Sequence, residues 1–189
     1  MRGWLIVDTA LGWIPLVFAS GVLAAVGMPL PSEEAALAWA KAQGAQGPEG
    51  GEGALASTLR RYARGEPQDF SWVTIWWEGM SPFYSRVLQE VRAIPWGCTR
   101  TYQWLAERVG IPKGARAVGQ VLARNPCPIV IPCHRIVGKD GSLKGYSGGL
   151  DWKRKLLALE GSLASPHLSP TFQERTKPIH QVRAEAGLR

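Results

Sequence analysis

With 189 residues, 46% hydrophobic and 20% charged, the chain has the balance of one or two small folded domains and excludes bulk disorder. Its three cysteines, Cys98, Cys127 and Cys133, form no CxxC and no paired spacing, which argues against a disulfide scaffold and for reduced thiols in the cytoplasm. The net charge of +7 is uneven: residues 1–80 carry five Lys and Arg against eight Asp and Glu, and residues 81–161 carry thirteen against five. A basic segment beside an acidic one fits a domain that meets phosphates, and equally a solvated basic surface.

Apolar runs at 4–7, 12–19 and 22–27 predict strands, the last two joined by a turn at Ser20 and Gly21. No charge occurs between Thr9 and Ser32, a stretch long enough to cross a bilayer. Gly12, Pro15, Gly21, Gly27, Pro29 and Pro31 interrupt it, so a buried hairpin is preferred to a membrane span or a signal peptide. Ser32 followed by Glu33 and Glu34 predicts a capped helix through Lys41. Residues 44–53 read as a glycine-rich loop, 55–63 as a short amphipathic helix ending at Gly65, and 73–77 as a fourth strand.

From Ser81 the pattern turns helical: Phe83, Val87, Val91 and Ile94 recur at three-to-four spacing until Pro95. A helix over 101–109 closed by Gly110, a turn at 111–114, and a second helix from Ala115 to about Arg124 resemble a helix-turn-helix. The second helix carries small Ala115, Ala117, Gly119 and Ala123, with Arg116, Gln120 and Arg124 repeating every four residues. A mid-helix glycine costs about 1 kcal/mol relative to alanine, so something approaches closely there, either DNA or a neighbouring helix. The expected organisation is an α/β fold: a small N-terminal α/β domain with an antiparallel sheet (1–78), then a mainly helical C-terminal domain containing the helix-turn-helix (79–161). Residues 162–189, with three prolines and little periodicity, read as a flexible tail.

The chemistry concentrates in residues 125–135, where an extended run at 129–131 is expected to deliver Cys133 directly after Pro132. A free thiol has a pKa of about 8.5, and the following His134 and Arg135 favour its thiolate, so Cys133 is a candidate nucleophile; an inert buried cysteine is the other reading. Neighbours on an extended chain point to opposite faces, so His134 reaches the sulfur only through a bend or a bridging water. Cys98 and Cys127 read as structural. Glu160 falls at a helix C-terminus, where the macrodipole disfavours negative charge, so a partner such as His134 is expected unless it is an ordinary surface glutamate. Gly145 to Gly149 forms a glycine-rich loop that does not fit a phosphate-loop pattern. His134, His167 and His180 complete no zinc-finger spacing.

Taken together, Arg116-Ala-Val-Gly119, Asn125-Pro126, Pro132-Cys-His-Arg135, Gly145-Tyr-Ser-Gly-Gly149 and a terminal Leu156-Leu-x-x-Glu-Gly161 have the order and spacing of the O6-alkylguanine-DNA alkyltransferase family. The segment Ile94-Pro-Trp-Gly97 and the pair Thr101-Tyr102 match too. The resemblance is specific over residues 81–161 and looser over the N-terminal part, where it implies a ribonuclease H-like domain. It implies that Cys133 accepts the alkyl group, that His134 is the base, linked to Cys133 through water and oriented by Glu160, and that Asn125 braces the loop before the cysteine. It implies that Arg116 intercalates where the guanine rotates out, and that Tyr102 crowds the phosphate and donates to the base.

The candidate DNA-facing residues are thus Thr101, Tyr102, Ala115, Arg116, Ala117, Gly119, Gln120 and Arg135; the candidate pocket residues are Pro128, Ile136, Tyr146, Ser147 and Gly148. The implied activity is one irreversible transfer from O6-alkylguanine in duplex DNA, with O4-methylthymine as a further substrate. No cofactor, metal or membrane is implied, and the partner is lesion-bearing duplex DNA bound by a monomer. Relatives that carry zinc hold it with N-terminal Cys and His, which the first 97 residues here lack. Tyr84 and Leu88 stand where many relatives have Gln and Trp. Other readings remain open: a lesion-binding relative that performs no transfer, a cysteine hydrolase using Cys133, His134 and Glu160, or a transcription regulator.

Overall fold

A computed structural model describes residues 2–50 and 53–164; the expected tail lies outside the described residues from 165 onward. The chain opens with strands β1 (Arg2–Thr9), β2 (Gly12–Ala19) and β3 (Val22–Val26), paired antiparallel in succession. Ser20 and Gly21 both take positive φ (50° and 77°), the backbone a two-residue hairpin turn requires. The charge-free stretch is therefore a hairpin, and no helix among the described residues is long and apolar enough to cross a membrane.

Helix α1 (Glu33–Ala42) starts where expected, with the Ser32 hydroxyl accepting from Ala35 N at 3.2 Å. The fourth strand is not 73–77 but β4 (Gly47–Pro48), parallel to β1 within the glycine-rich loop. At 73–77 only Ile75 bridges to Leu23. Arg92 donates to the carbonyls of Phe70, Ser71 and Val73, and so withdraws the carbonyl at the start of that segment from any ladder. Helix α2 (Gly53–Ala63) completes this half.

Because strand side chains alternate, the sheet serves two layers. Trp4, Ile6 and Val17 pack with Ala40 and Trp39 of α1. On the opposite face Val7, Ile14 and Leu16 join α2 (Leu55, Leu59, Tyr62) and the rest of the chain. Helix α3 (Pro82–Arg92) begins with Ser81 as cap and Pro82 in its first turn. A two-residue strand β5 (Arg100–Thr101) leads into α4 (Tyr102–Arg108), capped by Thr101, and then α5 (Ala115–Leu122). A 3-10 turn (Cys133–Arg135) precedes β6 (Ile136–Val137), which pairs parallel with β5, and α6 (Leu150–Leu159) ends at Glu160.

 The buried apolar cluster is continuous from Val7 of β1 to Leu156 of α6, so the sheet half and the helical half share one core. The Tyr84 hydroxyl ties α3 to the Arg124 carbonyl beyond α5, and Leu88 is buried in the core. Within this frame α6, spanning Leu150–Leu159, delivers its C-terminal end to the 3-10 turn that carries Cys133.

Candidate active site

Cys133 is not carried by an extended run. Asn125 organises a compact turn: its amide oxygen accepts from Cys127 N at 3.0 Å, and its Nδ2 donates to the Ile131 carbonyl at 2.8 Å. Those groups are thereby taken from any strand, and Ile129 adopts φ +73°, a conformation disfavoured for a β-branched residue. Pro132 (φ −79°, ψ 62°) with Cys133 N donating to Ile131 O at 2.8 Å forms an inverse γ-turn, for which the proline ring already supplies φ. The turn aims Sγ back at Asn125 Nδ2, 3.0 Å away.

The 3-10 turn sends His134 to a separate cluster. His134 Nε2 lies 2.8 Å from Glu160 Oε1, and both side chains are fully buried. Arg135 grips the same carboxylate with two bonds, Nε to Oε2 at 2.8 Å and Nη2 to Oε1 at 3.0 Å, and also donates to the Ile94 carbonyl. The Tyr62 hydroxyl adds a third donor to Oε1 at 2.8 Å. Burial alone would push the Glu160 carboxyl up; the bonds from His134 and Arg135 outweigh it and hold the pKa down at about 2. Glu160 is therefore an anion at neutral pH, the ring nitrogen facing it carries the proton, and burial keeps the imidazole neutral by lowering its pKa. Among the described residues, buried His134 Nδ1 has no hydrogen-bond partner, so its lone pair is free to take a proton.

The thiol itself is 3% exposed. Burial raises its pKa above the ordinary value, against the bond from Asn125, the charge of Lys153 and the Tyr146 hydroxyl. His134 and Arg135, expected to favour a thiolate, are instead engaged by Glu160, and burial favours the protonated thiol. Cys127, also buried, is pushed up to about 12 and is inert at neutral pH. All three cysteines are free, and Cys98 is partly buried.

Beside this cluster opens a cavity of about 820 Å³, whose lining includes Tyr102, Ala115, Arg116, Gly119, Gln120, Tyr146 and Ser147. One wall is the exposed side of α5, with Val118, Val121 and Leu122 turned to the core. A Cβ at Gly119 would stand 3.6 Å from Tyr102 Cε1, an ordinary contact, so among the described residues no neighbour requires the glycine. The opposite rim includes Lys139 and Lys144.

The family description "6-O-methylguanine DNA methyltransferase, DNA binding domain" matches residues 82–162. The methylated-DNA–protein-cysteine methyltransferase of Mycolicibacterium paratuberculosis is 52% identical over 80 residues, which are 42% of this chain and 48% of that protein, about half its length. That of Mycobacterium leprae is 46% identical over 114 residues, 60% of this chain and 68% of the relative. The crystal structure of Mycobacterium tuberculosis O6-methylguanine methyltransferase is 33% identical with a TM-score of 0.71, covering 87% of this chain and 96% of that one. The chain belongs to the methylated-DNA–protein-cysteine methyltransferase family. The Mycobacterium tuberculosis protein in complex with DNA is likewise similar, at 33% identity and TM-score 0.70, covering 87% of this chain and 96% of that one.

Within this methyltransferase framework several residues stand elsewhere than expected. Arg135, expected on the DNA side, is 4% exposed and engaged by Glu160, so it braces the base from behind. Pro128 and Ile136, expected in the pocket, are buried, and neither lines the cavity. Gly148 is also absent from that lining; Ala117 is half-buried on α5, and Thr101 caps α4 by accepting from Trp104 N at 3.0 Å.

Two residues of the methyltransferase site escaped the sequence reading. Tyr62 falls on the buried stripe of α2 with Leu55 and Leu59, and a tyrosine on such a stripe signals a hidden partner for its hydroxyl. Lys153 is fully buried on the α6 face that also holds Leu156 and Leu157. Its Nζ donates to the Lys144 carbonyl at 3.2 Å and lies 5.7 Å from the Tyr102 ring centroid. Burial draws its pKa down to about 8; a Cys133 thiolate beside it opposes that shift. A lysine at apolar-stripe spacing was the available signal.

Proposed function

We propose that the chain repairs duplex DNA by moving the alkyl group of O6-alkylguanine onto Cys133, once per molecule, after the base rotates out of the helix. The observation that carries this reading is the buried relay: a protonated thiol braced by Asn125, and a neutral imidazole fixed on one side by Glu160 with an open lone pair on the other. That is the nucleophile–base–orienter arrangement, with Arg135 and Tyr62 holding the orienter. The thiol proton passes to His134, through water as the family resemblance implies. Sγ then attacks the alkyl carbon, the bond from that carbon to O6 breaks, and the guanine leaves as an anion. Tyr102 and Ser147 line the cavity, and burial keeps the Tyr102 hydroxyl protonated, so either can supply the balancing proton or a stabilising hydrogen bond. The product thioether has no easy leaving group, so the site is spent.

The helical half supplies the DNA contact in this reading. Arg116 and Gln120 are exposed on α5, with small Ala115 and Gly119 letting the helix lie close to the duplex, as the second helix of a helix-turn-helix does in a DNA groove. Lys139 and Lys144 add charge across the cavity mouth. The three free cysteines fit a reducing compartment such as the cytoplasm, and the reading assigns a monomer acting on O6-alkylguanine and, secondarily, O4-methylthymine.

Stoichiometry tests the reading. With substrate in excess, one guanine is expected to be restored per protein molecule in a single burst. Continued turnover would point to a hydrolytic cysteine enzyme, and tight binding without restoration to a lesion-binding relative.

Lys153 gives a separate expectation. Its folded pKa lies below the ordinary 10.5, so the unfolded chain binds more protons between about pH 8 and 10.5 and stability rises with pH across that window. Lys153→Met is expected to abolish this rise in urea titrations and to be no less stable at neutral pH, since it removes a buried charge. It is also expected to slow reaction with free O6-benzylguanine, because the Cys133 thiolate loses a stabilising cation. A variant that keeps both the pH-linked rise and the full rate would contradict that assignment.

A further inference from the structure

We propose that Met28, from the sheet half of the chain, sets the size of alkyl group that the Cys133 pocket admits; this rests on the alkyl-transfer reading above. Met28 follows β3 in a segment fixed on both sides. Gly27 N donates to Pro15 O at 2.8 Å, and Leu30 and Trp13 exchange two backbone bonds at 2.9 Å. One residue further back, Val26 N donates to Pro126 O at 2.8 Å, inside the turn that Asn125 organises. The backbone at Met28 is therefore held in register with the turn that carries the thiol.

The side chain reaches the pocket wall. The Tyr146 hydroxyl donates to Met28 Sδ at 3.6 Å and also interacts with the Cys133 sulfur. Gly148 shows how close the contact is: a Cβ built there would stand 2.9 Å from Met28 Cγ and 3.0 Å from Tyr146 Cε1. Met28 thus backs the aromatic ring that stands beside the reacting sulfur, while Gly148 leaves just enough room for both. Truncating Met28 removes that backing and lets the Tyr146 ring retreat, which deepens the space for an alkyl group on the way to Sγ. A bulkier residue presses the ring inward. Met28 is a positioning residue acting through Tyr146, and an unbranched thioether suits a wall that must yield slightly.

The test compares transfer rates from O6-benzylguanine and O6-methylguanine placed in the same duplex, for the full chain and for Met28→Ala, Met28→Phe and Met28→Leu. The benzyl-to-methyl ratio is expected to rise about tenfold in Met28→Ala and to fall by a similar factor in Met28→Phe, the scale on which pockets discriminate single apolar groups. Met28→Leu, close in volume, is expected to stay near the unsubstituted ratio. A merely structural role would change both rates together and leave the ratio alone. A ratio that stays within about twofold in both the alanine and phenylalanine variants overturns the proposal. If the alanine variant does not fold, the phenylalanine variant decides it: a fallen ratio beside an unmoved leucine ratio supports the proposal, and a phenylalanine ratio within about twofold overturns it. Failure of the unsubstituted chain to transfer methyl overturns the alkyl-transfer reading and this proposal together, whereas an active chain with an unmoved ratio overturns this proposal alone.

Discussion

Glu160→Gln is expected to slow alkyl transfer by about 10²-fold or more, the usual contribution of a working general base. The amide keeps the shape but loses the charge that fixes the His134 tautomer and stabilises the imidazolium. It also leaves Arg135 buried without its counter-charge, which is expected to lower stability by about 3–5 kcal/mol. The pH dependence gives this a distinctive form. The folded pKa of Glu160 lies below its ordinary value of 4.5, so the stability it contributes is complete above about pH 4.5 and is lost as pH falls toward about 2. Urea titrations of the two proteins are therefore expected to differ most near neutrality and to converge in acid. Equal stability at pH 7 would show that the Arg135–Glu160 pair carries no weight.

Arg116→Ala is expected to lower repair of duplex DNA by about 10–100-fold, because unstacking a base costs a few kcal/mol and each 1.4 kcal/mol is a factor of ten. Arg116 is exposed at the cavity rim between small Ala115 and Ala117, and it is the longest α5 side chain in the cavity lining. Reaction with free O6-benzylguanine, which needs no rotation out of a duplex, is expected to change by no more than about twofold. Rates measured on both substrates check this, and equal losses on the two would remove the intercalation role.

Local signals in the sequence were enough for most of the elements. The hairpin turn at Ser20 and Gly21, the Ser32 and Thr101 caps and the helices flanking Gly110 follow from turn chemistry and periodicity that neighbouring residues alone decide. At the misplaced strand a distant residue intervenes: the carbonyls of Phe70, Ser71 and Val73 are claimed by Arg92, 19 to 22 residues away. Strand β4 carries only Gly47 and Pro48, neither with strand character. At the site, residue types made Cys133, His134 and Glu160 candidates, and the fold brings the last two together across a sequence separation of 26. Arg135, expected on the DNA side, is instead drawn inward by the buried Glu160 carboxylate, a pairing that spacing does not reveal. Tyr62 and Met28 come from the other half of the molecule and reach the site only through the shared core. Their roles depend on tertiary packing, which periodicity does not encode.

The most direct measurement of the central claim is the intact mass of the protein after incubation with excess duplex DNA carrying a single O6-methylguanine. The expected result is a gain of one methyl group per chain, located on the peptide containing Cys133 and absent from Cys133→Ala. An unchanged mass, or a gain that persists in Cys133→Ala, would contradict the assignment.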